Sequence, residues 1–394
     1  MLLLLEIVLL IVAIALAIPS AFLCIECMAA ISCDRALVED STPDLTKVTV
    51  LVPAHNESSG IQTTLLTLVS QVSTPEKIVV IADNCTDDTA AIARQYHVTV
   101  IERQDLTQRG KGYALDYGLR YLEANPPEIV VTVDADCCVA PKTIDSIVRL
   151  AQSTNRPVQA TYLMEKPAHP KVTDIISVLA LKVKNFVRPY GLLQLRLPSL
   201  LMGSGMAFPW DVIHQVSLAN SKTTDDMQLS VDLALAGYPP LYCPQGQVTG
   251  RLMEGASAKS QRSRWEHGHI EMLLTESPRL IKAAITQKRY DLLALALELC
   301  VPPLSLLVML WIVSTSSALL ATFIGVSWLP SLILGIAGLL IFVSIISAWA
   351  KFSRREIPAK VLLAMPFYLL WKIPLYFAFL IRPQNRWLKT ERDK

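Results

Sequence analysis

Long apolar runs occupy both ends of the chain, and between them short apolar runs alternate with polar stretches. In residues 1–31 the first twenty positions hold one charge, Glu6, and the apolar run continues past Pro19. At about 1.5 Å per residue, such a helix is long enough to cross a hydrocarbon core of about 30 Å. A cleaved signal peptide would begin with basic residues and end in small ones. Here Lys and Arg are missing before the run, and Cys24, Glu26 and Cys27 stand where the small residues would be, so a retained anchor is expected. Residues 292–350 carry only Glu298 as a charge and predict two transmembrane helices joined by a turn at Gly325–Pro330. Residues 359–382 form a further apolar segment, but Pro366, Lys372 and Pro374 interrupt it, which suits a bent or interfacial helix as well as a crossing. Residues 383–394 make a basic C-terminal tail.

The pattern of residues 46–288 is different. Val48–Val52, Lys77–Ala82, Val98–Ile101 and Glu128–Val133 are short β-rich runs, separated by helical stretches at Thr63–Val72, Thr86–Tyr96 and Tyr113–Glu123. This alternation predicts a mostly parallel sheet covered by helices. Ligands of such sheets collect beyond the carboxyl ends of the strands, and there the sequence places Pro53-Ala-His-Asn-Glu57, Asp83-Asn-Cys-Thr-Asp87 and Asp134-Ala-Asp-Cys137. Asp87 or Asp88 is accounted for as a helix cap. Asp134 and Asp136, one residue apart just past a buried strand, can face a hard divalent cation that takes its remaining ligands from water and phosphate.

Composition narrows the functional classes. The chain has 394 residues, 52% hydrophobic and 18% charged, and its mean hydropathy of +0.40 requires part of it to lie in a membrane. A net charge of +2 argues against nucleic acid as a partner. The basic residues cluster instead near the apolar segments: Lys351, Arg354, Arg355 and Lys360 follow the second long crossing and place that loop, with the polar domain, on the cytoplasmic side. A multi-pass protein of the inner membrane is therefore expected. The cysteines show no paired metal-ligand spacing and read as free thiols.

Taken in order, P-A-H-N-E (53–57), the Asp of A-D-N-C-T (83), D-A-D (134–136), T-D-D (224–226) and Q-R-S-R-W (261–265) resemble the membrane-bound family-2 glycosyltransferases, which include cellulose, chitin, hyaluronan and poly-N-acetylglucosamine synthases and ceramide glucosyltransferase-like enzymes. The resemblance implies an α/β GT-A domain using a nucleotide-sugar donor, usually a UDP-sugar, with Mg²⁺ or Mn²⁺. By the family pattern, Pro53, Ala54, Glu57 and Asp83 line the base and ribose pocket, Asp134 approaches the sugar-nucleotide and Asp136 ligates the metal. Arg109-Gly-Lys-Gly112 matches the basic stretch near the nucleotide, where Lys111 can neutralise phosphate as a point charge. The family's T-E-D is Thr224-Asp-Asp226 here, with the last acid retained, and Asp226 is the expected general base of an inverting transfer. Gly205, in Gly203-Ser-Gly-Met-Ala207, is expected to leave room for the acceptor. Trp265 offers it a flat face, Arg264 suits the donor diphosphate, and Gln261 shares their helical face. Arg262 and Ser263 fall outside the fixed positions and read as solvated. Trp387–Arg392 resembles the segment that gates the nucleotide site in polysaccharide synthases.

Val172–Phe186 and His269–Ile285 have apolar residues at helical spacing and are expected to lie at the membrane interface, with Lys182, Lys184 and Lys282 toward headgroups. The expected activity is sugar transfer to a glycan or lipid-linked acceptor at the cytoplasmic membrane face, with membrane lipids as partners. Polysaccharide synthesis, single addition to a glycolipid, and a catalytically inactive scaffold or sugar-nucleotide sensor are the alternatives.

Overall fold

The computed structural model describes residues 1–32, 44–219, 225–253 and 255–381. Thr224 of the T-D-D motif and the proposed gating segment of the tail lie outside them. The strands are β1 (Val48–Ala54), β2 (Ile78–Asp83), β3 (Thr99–Arg103), β4 (Ile129–Thr132), β5 (Cys138–Val139), β6 (Val158–Glu165), β7 (Met206–Pro209) and β8 (Leu241–Arg251). They form one eight-stranded sheet in the order β3-β2-β1-β4-β7-β6-β8-β5. β1 pairs in parallel with both β2 and β4, and β2 with β3. This is the half that the sequence pattern anticipates. The other half is mixed, because β7 enters antiparallel to β4 and β6.

Burial on both sheet faces explains why β1 and β2 read as continuous apolar runs rather than alternating ones. Val48, Val50 and Val52 point into a core with Ile61, Leu65 and Leu68 of the helix Ile61–Val69. Leu51, Val79 and Ile81 point the other way, against Leu115 and Leu119 of the helix Lys111–Leu122. The residues just past β1, β2 and β4 therefore project from the rim of a sheet fixed on both sides.

Among the described residues, four helices are long and apolar enough to cross a membrane: Leu2–Ser32, Leu304–Phe323, Leu329–Phe352 and the segment Ala359–Phe379. Their outward faces leave apolar side chains uncovered, as at Ile11, Leu320 and Leu339. The crossing expected from Leu292 starts instead at Leu304. Tyr290–Cys300 is a separate helix, and Pro302 and Pro303 break the chain before the next one. The segment with three interruptions is a 3₁₀ turn, Ala359–Ala364, followed by the helix Met365–Ile381 with Pro374 inside it. Its Lys372 is buried against Glu266.

The first helix is tied to the rest of the molecule as well as to the other candidate spans. A side chain at Gly191 would meet the Glu26 carbonyl oxygen at 1.9 Å, so only glycine lets the helix Arg188–Gln194 approach the Leu2–Ser32 backbone this closely. One continuous cluster joins Leu23 and Cys27 to Val183, Val187 and Leu192.

Candidate active site

The strand ends open onto a cavity of about 320 Å³ lined by Pro53, Ala54, Glu57, Asp83, Lys111, Asp134, Asp136, Asp226, Gln261, Arg264 and Trp265. Pro53 and Trp265, 212 positions apart in sequence, thus share one space. Asp83 is locked at the end of β2: Arg103 Nη1 donates to its Oδ1 at 2.7 Å, and both side chains are 8% exposed. The Asn84 amide donates to the same oxygen at 3.0 Å. Asp87 accepts from the Ser58 and Thr89 backbone N–H groups at 3.1 Å and so holds the neighbouring loops together.

Past β4, the Asp134 and Asp136 carboxylates and the Cys137 sulfur bring ligand atoms within 4.8 Å of one another. Burial and the two neighbouring carboxylates push the Cys137 thiol well above its ordinary pKa. It therefore stays protonated and is a weaker metal donor than the carboxylates beside it. Lys111, the first residue of its helix, ion-pairs with Asp134 and donates to the Gly203 carbonyl at 2.5 Å. Burial opposes the charge on Lys111, but Asp134, Asp225 and Asp226 outweigh it and keep the ammonium above its ordinary pKa.

Gly203, at φ 96°, passes directly under the expected base: a β-carbon there would sit 3.4 Å from Asp226 Oδ2 and 3.9 Å from Lys111 Nζ. Lys111 and Gly203 thus bridge the carboxylates at the end of β4 and the carboxylate opening the helix Asp225–Leu235. Burial, with Asp225 beside it, pushes the Asp226 carboxyl up to about 6, into the range that suits a general base near neutral pH.

A model of "Glycosyltransferase like family 2" matches residues 43–268, more than half of the chain and the span that holds Pro53 to Trp265 of the cavity lining. The chain belongs to glycosyltransferase family 2. The mannosyltransferase PcManGT from Pyrobaculum calidifontis, solved with GDP-Man and Mn²⁺, shares the fold of this transferase at TM-score 0.51 and 20% identity, over 95% of this chain and 96% of that one. An uncharacterized protein of Methanocaldococcus jannaschii is 34% identical over 103 residues, 26% of this chain and 41% of its own. The 4,4'-diaponeurosporenoate glycosyltransferase of Staphylococcus aureus is 34% identical over 92 residues, 23% of this chain and 24% of its own. The transferase thus matches less than half the length of either curated relative.

Some expectations need correction. Gly205 does not line the cavity; it lies in the bend just before β7, packed against the sheet, where a β-carbon would come within 2.6 Å of Val248 and 3.1 Å of Ala160. Its close packing positions Gly203, which does line the cavity. Arg262 is buried rather than solvated, paired with Asp174 at 2.6 Å and stacked over Trp371 at 5.4 Å. Lys184 does not reach toward headgroups, because Val172–Lys182 runs into a π-helical turn, Val183–Val187, and the wider turn presents Lys184 to the cavity. Lys182 pairs with Glu356 at 2.9 Å.

The floor of the transferase's cavity also holds charges that the motifs do not include. Arg188 donates to Glu26 of the first helix at 2.6 and 3.3 Å and to the Glu298 carbonyl at 2.8 Å. Glu298 accepts from the Leu200 backbone N–H at 3.0 Å, and burial pushes its carboxyl up to about 8, so it is largely neutral at pH 7. His269 is held well below its ordinary pKa by burial and by Lys184 and Arg188. As a neutral ring it donates from Nε2 to the Leu299 carbonyl at 3.2 Å. The signal for Glu26 and Glu298 was present in the sequence, since each is an isolated acid in an apolar run.

Proposed function

We propose that the protein is an inverting glycosyltransferase that moves a sugar from a nucleotide diphosphate-sugar to the hydroxyl of a lipid-linked acceptor at the cytoplasmic face of a membrane. The observation that carries this reading is the convergence of Asp134, Asp136, Lys111 and Asp226 on one cavity that extends to the membrane-proximal helices. Both hydrogen bonds to the Asp83 carboxylate among the described residues go to Oδ1. Oδ2 is left for a ring N–H, which uracil and guanine offer and adenine and cytosine do not. A uridine donor is the first choice on the family resemblance.

The two carboxylates fit a hard divalent cation, Mg²⁺ or Mn²⁺, held by Asp136 with Asp134 beside it. Bound there, the cation would offset charge on the donor diphosphate. Lys111 and Arg264 are placed to hold the same phosphates, one as a point charge and the other as a planar fork. The acceptor oxygen attacks the anomeric carbon and its proton passes to Asp226, while the bond from that carbon to the diphosphate oxygen breaks and the electron pair leaves with the nucleotide. Trp265, packed on Met164, Val178 and Leu252, offers a fixed apolar face on the acceptor side.

The test is transfer by purified full-length protein from a panel of UDP- and GDP-sugars with Mn²⁺ or Mg²⁺, using a membrane lipid extract as acceptor. Labelled sugar should enter the organic phase, and Asp136→Ala and Asp226→Asn should abolish or strongly reduce it. Undiminished activity in both variants refutes the residue roles. A growing water-soluble glycan would favour the polysaccharide alternative instead.

A further inference from the structure

A second cavity of about 80 Å³ adjoins the catalytic one and shares Leu181, Lys184, Arg188, Trp265 and His269 with it. Its lining surface is mostly apolar, with Ala180, Pro302, Pro303 and Leu304 on the remaining wall beside Tyr368, Ser177 and Ser305, and the paired Arg262, Glu266 and Lys372 at its edge. Leu304 begins one candidate membrane span and Tyr368 belongs to another. The passage therefore runs from the head of the membrane helices into the site of sugar transfer.

The charges along this passage are matched, with one exception. Arg188 has Glu26, Arg262 has Asp174, and Lys372 has Glu266. Glu298 is largely neutral at pH 7 and His269 is uncharged. Lys184, at the junction of the two cavities, has no ion pair or hydrogen bond among the described residues. Asp226, across the catalytic cavity, is the charge that acts on it most strongly. Burial holds the Lys184 ammonium below its ordinary pKa, a cost that an anion beside it would relieve.

Resting on the glycosyl-transfer reading, we infer that the acceptor is a membrane lipid whose headgroup carries an anion next to a free hydroxyl: the anion docks on Lys184, the hydroxyl faces Asp226, and the hydrocarbon lies in the second cavity. An acceptor whose anionic oxygen was itself the nucleophile would have no proton to give, leaving Asp226 without a task.

The test uses full-length protein in neutral detergent micelles with one competent nucleotide-sugar. Phosphatidylglycerol supplies a phosphate anion with hydroxyls, and a hydroxy fatty acid supplies a carboxylate with a hydroxyl. Monoacylglycerol and an alkyl glucoside are the neutral counterparts. The wild type is expected to show a KM at least about tenfold lower for an anionic acceptor. Lys184→Gln should bring anionic and neutral acceptors within about twofold, and Lys184→Arg should restore the difference. Comparing the two anionic lipids identifies which anion fits. Ala180→Phe, which fills the second cavity, should raise KM for long-chain acceptors more than for short-chain ones. Equal use of neutral lipids by the wild type, or a preference that survives Lys184→Gln, overturns the inference. A Lys184→Gln effect confined to the pH profile does so too, since it would mean that the lysine acts only on Asp226. Donor hydrolysis without transfer to either anionic lipid overturns the inference alone, whereas neither hydrolysis nor transfer removes the underlying function as well.

Discussion

Asp226→Asn should have opposite effects on activity and stability. The carboxyl is pushed from 3.8 to about 6 by burial and by Asp225. At 1.36 kcal/mol per pH unit, ionising it in the fold costs about 3 kcal/mol as an upper bound. The side chain still touches solvent, so about 1–2 kcal/mol is the expected share. The sign follows from linkage: the folded protein holds this proton more tightly than the unfolded chain, so the penalty is fully present above pH 6 and is relieved as pH falls toward 3.8. Asparagine imitates the protonated form. At pH 8, with a chelator present to exclude cations, thermal unfolding of the detergent-solubilised variant should occur roughly 2–4 °C above wild type. The gain should shrink to nothing near pH 4. Turnover should drop by about 10²–10⁴-fold if Asp226 takes the acceptor proton. A variant less stable than wild type at pH 8, a gain that persists at pH 4, or a turnover loss below tenfold would each refute the assignment of Asp226 as a strained, buried base.

Other predictions test the neighbouring charges. The kcat/KM of the free enzyme should rise through pH 6 as Asp226 ionises; Asp225→Asn should move that limb to lower pH, and an unmoved limb would dissociate it from Asp226. Asp83→Ala removes the buried partner of Arg103 Nη1 and leaves the guanidinium only Asp105 as a carboxylate, at 3.3 Å, and should lower stability by about 1–3 kcal/mol. The double change with Arg103→Leu should recover part of that stability but not donor affinity, as read by thermal unfolding and by nucleotide titration. Glu26→Gln weakens the buried pair with Arg188; it should lower the unfolding temperature and, if the acceptor binds beside Lys184 as proposed, raise the acceptor KM more than the donor KM, because Arg188 lines the cavity next to Lys184.

The half of the site built from the ends of β1, β2 and β4 was legible in the sequence because its signal is local. Each of β1, β2 and β4 is a short run buried on both faces and ends in a polar loop, so strand position and loop chemistry can be read together. The far half depends on distant pairings. β7 is four residues long, and nothing within Met206–Pro209 indicates that it will lie antiparallel between β4 and β6. For the same reason Gly205 could not be distinguished from Gly203: the residues that fill the space beside Gly205, Val248 and Ala160, arrive from other strands. Periodicity predicts that a helix is amphipathic but not what packs on its polar face. Arg262 reads as solvated until Asp174 and Trp371 are placed against it, and Lys184 reads as a headgroup contact until the π-helical turn directs it inward.

Together these non-local placements change the role of the first helix. A hydrophobic anchor needs no buried charge, yet Glu26 is fully buried and sits against Arg188, which is itself fixed to the Glu298 carbonyl. A charge pair in such surroundings is costly to assemble and more costly to break on one side. Arg188 lies on the floor of the cavity beside Lys184. The first helix therefore supplies the counter-charge that keeps one cation of that floor engaged while its neighbour remains available to a ligand. A tether could be exchanged for any apolar helix of similar length. This one is held in register by Glu26 and by its contact with Gly191, and exchanging it would disturb the acceptor side of the catalytic cavity.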